Sequence, residues 1–206
     1  MFIFNNLYGL VLCGGESSRM GSDKSLLTYY KKPQREHLYE MLQSFCSEVF
    51  ISCSSEQSAG MDINLPAITD LQLYRNIGPI GALLTAFSIY PDNDFIVTGC
   101  DYPFISGKDL VDFISSLKQN KPASAFYNCE NDLYEPILAY YSSECCNLLK
   151  EQFRVKNYSL QYFLRSVEAE KYYPSDLNLL KNADTPEAYI NAKKVIDNRV
   201  LSDRKM

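Results

Sequence analysis

The sequence predicts an α/β domain with a mainly parallel sheet. Short apolar runs alternate along the chain with amphipathic segments, which is the pattern of strands that are each followed by a helix. The length of 206 residues fits one domain, and 46% hydrophobic residues supply ample core material. We therefore expect a single domain over residues 1–206.

Five short apolar runs are typical of strands that are buried in a sheet. The first is followed at once by Gly14-Gly15, and the third is followed by Gly99, so both have a clear end. The predicted strands are residues 8–13, 49–51, 95–98, 123–127 and 137–141.

Apolar residues at helical spacing predict helices between and after these strands. Pro79 and Pro186 stand where two of them begin, because the missing N–H of proline would have no partner in the first turn. Thr185 is the expected N-cap of the last helix. The predicted helices are residues 35–45, 80–90, 110–117, 147–153, 160–167 and 186–197.

Charge and cysteine content exclude several classes of protein. A net charge of −5 argues against a general nucleic-acid binder, whose phosphate contacts need a basic face. No apolar run approaches the roughly 18 residues of a membrane span, and the N-terminus lacks the basic region of a signal peptide. Seven cysteines without a C-x-x-C pair argue against a disulfide framework or a zinc site. We expect a cytoplasmic protein with neither nucleic acid nor membrane as a partner.

The segment 12–24 follows the first predicted strand and has the residue types of a phosphate-binding loop. In parallel α/β sheets, ligands bind at the carboxyl ends of the strands. Glycines such as Gly14 and Gly15 let backbone N–H groups approach phosphate oxygens, while Arg19 and Lys24 supply positive charge. The spacing fits neither G-x-G-x-x-G nor the Walker A motif. The alternative is an ordinary surface loop.

Asp101 follows another buried strand and precedes Pro103. A carboxylate at this place can hold Mg²⁺, a hard ion that uses one or two carboxylates together with substrate phosphates and water. The alternative is a residue that caps a turn before the proline.

Four segments resemble the molybdenum cofactor guanylyltransferase family of nucleotidyltransferases. LCGGESSRMGSDKSLL, at residues 12–27, resembles the glycine loop of that family. Further along the chain, GPIG at 78–81, GCDYPF at 99–104 and NADTPE at 182–187 resemble three of its other motifs. The four matches occur in the family's order and span nearly the whole chain.

The resemblance implies a Rossmann-like three-layer α/β/α nucleotidyltransferase fold, with a nucleotide-binding N-terminal part and an acceptor-binding C-terminal part. It implies Mg²⁺-dependent transfer of GMP from GTP to the phosphate of molybdopterin, with release of pyrophosphate and with possible transient cofactor-delivery proteins as partners. Arg19, Lys24 and Asp101 would be catalytic, and Asp101 would coordinate the metal. The implied nucleotide-binding residues are Leu12, Cys13, Gly14, Gly15, Lys24, Ser52, Asp70 and Asp101.

The chain departs from the family pattern at three places. Cys13 replaces the usual Ala, and a reduced cysteine is a small apolar residue that fits there. Residues 52–55 are Ser-Cys-Ser-Ser where the family tends to carry Asn, and a hydroxyl cannot match both edges of an amide. This leaves the nucleobase open. Asp184 stands where the family often has Asn, and it is either a second metal ligand or a carboxylate favoured near a helix N-terminus.

Two other functions remain open at this stage. The first is the same chemistry with CTP or with a sugar-phosphate acceptor. The second is a non-catalytic nucleotide-binding protein. The presence of Arg19, Lys24 and Asp101 together favours an enzyme, because a sensor has no leaving pyrophosphate to neutralise.

Overall fold

A seven-stranded sheet forms the centre of the computed structural model, which describes residues 4–13, 23–59, 61–62, 64–118 and 120–203. The strands are β1 (Phe4–Leu12), β2 (Cys46–Ser52), β3 (Ala67–Ile68), β4 (Asp94–Gly99), β5 (Ala123–Asn128), β6 (Leu133–Tyr141) and β7 (Glu170–Tyr172). They lie in the order β3-β2-β1-β4-β6-β5-β7. Only β6 runs antiparallel to its neighbours within this sheet, which confirms the mainly parallel arrangement.

Seven α-helices accompany the sheet in the described part of the chain. They are α1 (Gln34–Leu42), α2 (Ser55–Ala59), α3 (Pro79–Ile89), α4 (Gly107–Ser115), α5 (Cys145–Arg154), α6 (Leu160–Ser166) and α7 (Pro186–Asp203). Each predicted strand and helix is present, with bounds that differ by a few residues. Thr185 caps α7 as expected, because its Oγ1 accepts a hydrogen bond from the N–H of Ala188 at 3.1 Å. Three short elements, α2, β3 and β7, were not predicted, because they are too short to show a periodic pattern.

Side chains that alternate along the central strands fill two separate cores. Leu10 belongs to a core on one face of the sheet, beneath α3, α5 and α6, whereas Val11 belongs to a core on the other face, beneath α1 and α4. Both side chains are fully buried. This alternation confirms the three-layer α/β/α architecture, and it explains why β1 is apolar without interruption. None of the helices described is both long and apolar enough to span a membrane.

The carboxyl ends of the parallel strands meet at one edge of the sheet, which we call the C-terminal edge. Leu12 at the end of β1 pairs with Ser52 of β2 on one side and with Gly99 of β4 on the other. The pairing continues one residue further, since the N–H of Cys13 donates to the carbonyl of Ser52 at 2.9 Å and the N–H of Cys100 donates to the carbonyl of Leu12 at 3.2 Å. The segments that follow these strands are therefore neighbours in space.

Candidate active site at the C-terminal edge

Asp101 lies at the C-terminal edge, two residues after the end of β4. Its Oδ1 is buried and has no hydrogen-bond partner among the residues that the structure describes. Burial raises the pKa of Asp101 to about 6, with the nearby Asp184 acting in the same direction and Lys24 in the opposite one. Gly99 makes room for this carboxylate, because a Cβ at that position would lie 2.5 Å from Asp101 Oδ1. Oδ1 thus has no direct partner among the described residues, although a hydrogen bond with the backbone of Asp101 itself lowers the pKa of the carboxyl.

Lys24 and Asp184 form an ion pair beside Asp101, with Nζ 2.6 Å from Oδ1. Lys24 begins a 3-10 turn that is capped by Asp23, whose Oδ1 accepts from the N–H of Ser25 at 2.9 Å. The segment of Asp184 is fixed by a backbone hydrogen bond from Ala183 to the carbonyl of Asp101 at 3.0 Å. The fold therefore brings Lys24 of the first motif and Asp184 of the last motif together next to Asp101.

The residues at this place fit a magnesium ion. A buried, unpartnered carboxylate oxygen and a second carboxylate nearby are hard ligands of the kind that Mg²⁺ prefers. The described ranges contain no group of three or more His, Cys, Asp or Glu side chains arranged to hold a metal. Mg²⁺ is usually bound by one or two carboxylates, and its shell is completed by substrate phosphates and water.

Residues 14–22, the central part of the glycine loop, lie outside the described residues, and with them the predicted site residues Gly14, Gly15 and Arg19. The residues on either side of it are described. The side-chain amide of Gln57 donates to the carbonyl of Cys13 at 3.3 Å and to Oδ2 of Asp23 at 2.9 Å. Gln57 therefore joins the residue before the loop to the residue after it.

Gln57 was not selected by the sequence analysis, although a local signal was present. Ser54 and Gln57 form the S-x-x-Q pattern of a capping box. The N–H of Ser54 donates to Oε1 of Gln57 at 2.9 Å, and the N–H of Gln57 donates to Oγ of Ser54 at 3.2 Å. This pattern marks the start of α2, and it turns the amide of Gln57 toward the end of β1.

The predicted base contact Ser52 is buried as the last residue of β2, and its carbonyl is occupied by the N–H of Cys13. Ser54 and Ser55 are the exposed hydroxyl residues of this segment. The structure thus places Ser52 at the expected end of the strand but leaves the two later serines more accessible.

Asp70, a predicted nucleotide-binding residue, lies against the G-P-I-G turn. A Cβ at Gly81 would lie 3.3 Å from Asp70 Oδ2 and 2.3 Å from the carbonyl oxygen of Tyr74, so only glycine fits at this position. Gly78 has a φ of 77°, which also favours glycine. Burial raises the pKa of Asp70, and Arg75 partly offsets that rise. The turn therefore brings Asp70 next to the first turn of α3.

A second polar group flanks Asp101 on the side of β6. The hydroxyl of Tyr102 donates to Oε2 of Glu135 at 2.6 Å. Burial raises the pKa of Tyr102 well above its usual value, and a side-chain hydrogen bond with Asn182 acts in the opposite direction. Burial also raises the pKa of Glu135. Asn182 and Glu135 are therefore joined through Tyr102, one residue from Asp101.

Lys24, Asp184 and the buried Oδ1 of Asp101 at the C-terminal edge fit a nucleotidyltransferase of the α/β class, and comparison with known proteins gives the same result. Residues 9–171 match the family model described as the MobA-like NTP transferase domain. The chain belongs to this family.

Individual relatives are similar over most of this chain. It is 29% identical over 184 residues to a molybdenum cofactor biosynthesis bifunctional protein from Synechocystis, covering 89% of this chain and 52% of that protein. The match thus spans about half the length of that relative. It is 31% identical to a probable molybdenum cofactor guanylyltransferase from Thermococcus gammatolerans, over 78% of this chain and 83% of that one.

A solved structure supports the fold. The molybdopterin-guanine dinucleotide biosynthesis protein A from Archaeoglobus fulgidus superposes with a TM-score of 0.76, at 21% identity, over 93% of this chain and 99% of that one. The predicted nucleotidyltransferase fold is confirmed.

Proposed function

We propose that this protein transfers GMP from GTP to the terminal phosphate of molybdopterin, releases pyrophosphate and forms molybdopterin guanine dinucleotide. The observation that carries the proposal is the buried, unpartnered Oδ1 of Asp101 beside the Lys24–Asp184 pair. The choice of guanine and of molybdopterin is supported by the names of the relatives from Thermococcus gammatolerans and Archaeoglobus fulgidus.

The proposed reaction makes one bond and breaks one bond at the α-phosphorus of GTP. An oxygen of the acceptor phosphate attacks that phosphorus, and the bond to the bridging oxygen of pyrophosphate breaks with its electron pair. The acceptor phosphate is already ionised, so no side chain needs to remove a proton. The protein then has to position the two phosphates and to stabilise the charge that develops on the leaving group.

Lys24 is proposed to bind the α-phosphate and the leaving pyrophosphate, together with Arg19 of the glycine loop. Asp184 holds the ammonium group of Lys24 near Asp101 before the substrate arrives. Asp101 and Asp184 are the proposed ligands of Mg²⁺, which when bound neutralises phosphate charge during the displacement. The proposed role of Asp101 also explains why its buried Oδ1 has no hydrogen-bond partner among the described residues.

The acceptor is proposed to approach Asp101 from the side of β6. Glu135 and Asn182 are connected there through the hydroxyl of Tyr102. A carboxylate accepts hydrogen bonds, and an amide both donates and accepts them. A pterin carries hydrogen-bond donors and acceptors, so these side chains can pair with it. This arrangement supports a C-terminal part that binds the acceptor.

The first test is a thermal-shift screen of GTP, CTP, ATP and UTP in the presence of Mg²⁺. A nucleotide at a hundred times its dissociation constant should stabilise the fold by about 2.7 kcal/mol. We expect the shift to be selective for GTP. Pyrophosphate release is then measured with GTP and molybdopterin together.

Asp101→Ala should abolish pyrophosphate release, because the metal loses its buried ligand. Asp112→Ala is the matched control, since Asp112 is an exposed carboxylate on α4. Selectivity for CTP would keep the chemistry and change the donor. Nucleotide binding without pyrophosphate release in the presence of molybdopterin would instead favour a non-catalytic role.

A further inference from the structure

Two thiols are in contact at the C-terminal edge. Cys13 Sγ lies 3.6 Å from Cys100 Sγ, and the two residues are 87 positions apart in the sequence. Both side chains are buried, with exposed fractions of 7% and 5%. Cys13 directly follows β1, and Cys100 directly follows β4.

The two cysteines directly follow paired residues of neighbouring strands. Leu12 and Gly99 are paired across β1 and β4, and the N–H of Cys100 donates to the carbonyl of Leu12 at 3.2 Å. Neighbouring strands are about 4.8 Å apart. A disulfide accepts Cα atoms about 4.4–6.8 Å apart and brings the sulfur atoms to about 2.05 Å. Rotation of the two side chains, together with a small approach of the segments that follow β1 and β4, can therefore close the bond without a change in strand pairing.

We propose that Cys13 and Cys100 form an oxidation site, in which a disulfide bond between them lowers the activity of the adjacent nucleotide site. The oxidant is hydrogen peroxide. Both S–H bonds break, one S–S bond forms, and the peroxide O–O bond is reduced to two molecules of water. A thiol reductant reverses the step by exchange.

The position of the two residues gives the disulfide its effect. Cys13 precedes the glycine loop, and its carbonyl is held by Gln57. Cys100 precedes Asp101. Since the sulfur atoms must approach by roughly 1.5 Å, the bond draws these two segments together, and a displacement of about 1 Å at an active site can cost about a hundredfold in rate. This consequence rests on the proposed function, whereas the formation of the bond does not.

Other cysteines provide competitors and controls. Cys53 lies at the same edge, where its thiol contacts Met61 Sδ at 3.7 Å. Cys46 is buried in the same core but begins β2, at the opposite edge of the sheet. Cys129 is exposed and can pair between molecules. Cys46→Ala is therefore the matched control for Cys100→Ala.

The test exposes the reduced protein to hydrogen peroxide and measures its intact mass under non-reducing conditions. We expect the loss of two hydrogen atoms and, after digestion without reductant, one peptide that links Cys13 to Cys100. The link should form in Cys46→Ala and be absent in Cys100→Ala. GTP binding and kcat/KM are measured before oxidation, after oxidation and after addition of dithiothreitol.

We expect kcat/KM to fall about tenfold to a hundredfold on oxidation and to recover with dithiothreitol. In Cys100→Ala, the ratio of oxidised to reduced activity should stay near one. A link between other cysteines, or sulfinic acid without a link, would overturn the proposed site. A Cys13–Cys100 link that leaves GTP binding and turnover unchanged would overturn its proposed effect. Failure of the reduced protein to bind any nucleotide would count against the proposed function instead, while the mass measurement would still decide whether the bond forms.

Discussion

At the scale of single residues, Asp101 carries a cost that follows from its position. Burial favours the protonated form of its carboxyl, so the pKa rises from 3.8 to about 6. A group whose folded pKa is raised gives its full stability below the unfolded pKa and loses it as the pH rises through the folded pKa. Above about pH 6, Asp101 is charged and costs stability in the metal-free protein.

Asp101→Asn should therefore stabilise the metal-free protein near neutral pH. With EDTA present, we expect its free energy of unfolding to exceed that of the unchanged protein by about 1–3 kcal/mol near pH 7.5. The difference should shrink toward pH 4.5, because below about pH 6 the folded carboxyl takes up a proton and loses its buried charge. Chemical denaturation at both pH values measures the effect, with Asp112→Asn as the control. If the variant were less stable than the unchanged protein at pH 7.5, the charge of Asp101 would not be lowering the free energy of unfolding.

Lys24→Ala should lower kcat about a hundredfold to a thousandfold, because the developing charge on pyrophosphate loses a preorganised cation. Lys32→Ala is the control, since Lys32 also pairs with a carboxylate, Glu40, but on the surface near α1. Steady-state kinetics with saturating GTP and Mg²⁺ decide the result. A decrease in kcat of less than tenfold would show that Lys24 is not a catalytic residue.

Among the elements, α2 connects the two residues that flank the glycine loop. It has five residues and none of them is buried, so it contributes little to the core. Its amide at Gln57 instead links the end of β1 to the 3-10 turn that begins with Lys24. A short surface helix thereby fixes the distance between the two residues that flank the loop.

Gln57→Ala should weaken GTP binding by about tenfold, which corresponds to the loss of about one or two hydrogen bonds. The thermal midpoint without nucleotide should change little, because α2 buries no residue. Glu56→Ala, at the exposed neighbouring position, is the control. Calorimetric titration with GTP measures the effect, and unchanged affinity in Gln57→Ala would show that other contacts hold the loop ends.

At the scale of the whole molecule, the site is assembled from distant parts of the chain. Lys24 and Asp184 are 160 positions apart, and their ion pair closes the site between the first and last motifs. Ala183 adds a backbone hydrogen bond to the carbonyl of Asp101. Behind this segment, Ala192 and Ile196 of α7 pack with Tyr29, which follows the Lys24 turn. The C-terminal segment thus supports both sides of the site.

Asp184→Asn should separate the structural role of this carboxylate from its role toward the metal. The ion pair is partly exposed, so the free energy of unfolding should change by less than about 1 kcal/mol. The Mg²⁺ concentration for half-maximal activity should rise about tenfold, because the site loses a charged oxygen. Asp176→Asn, at a cap of another turn, is the control. An unchanged Mg²⁺ dependence would leave Asp184 as the partner of Lys24 only.

Elements that are long enough to repeat a pattern could be predicted from the sequence. The apolar runs located β1 and β4, and the glycines and proline at residues 78–81 located the start of α3, because these signals depend on residues that are close in the chain. The motif residues Lys24 and Asp101 could be selected in the same way, since each follows directly on a predicted strand or loop.

The contacts between these residues depend on the tertiary structure and could not be predicted from local patterns. No local pattern indicates that β6 enters the sheet antiparallel between β4 and β5, that Lys24 pairs with Asp184, or that Cys13 touches Cys100. These contacts depend on the order and direction in which the strands pack. That order is set by the burial of both faces of the sheet together, so it is a property of the whole chain rather than of any segment.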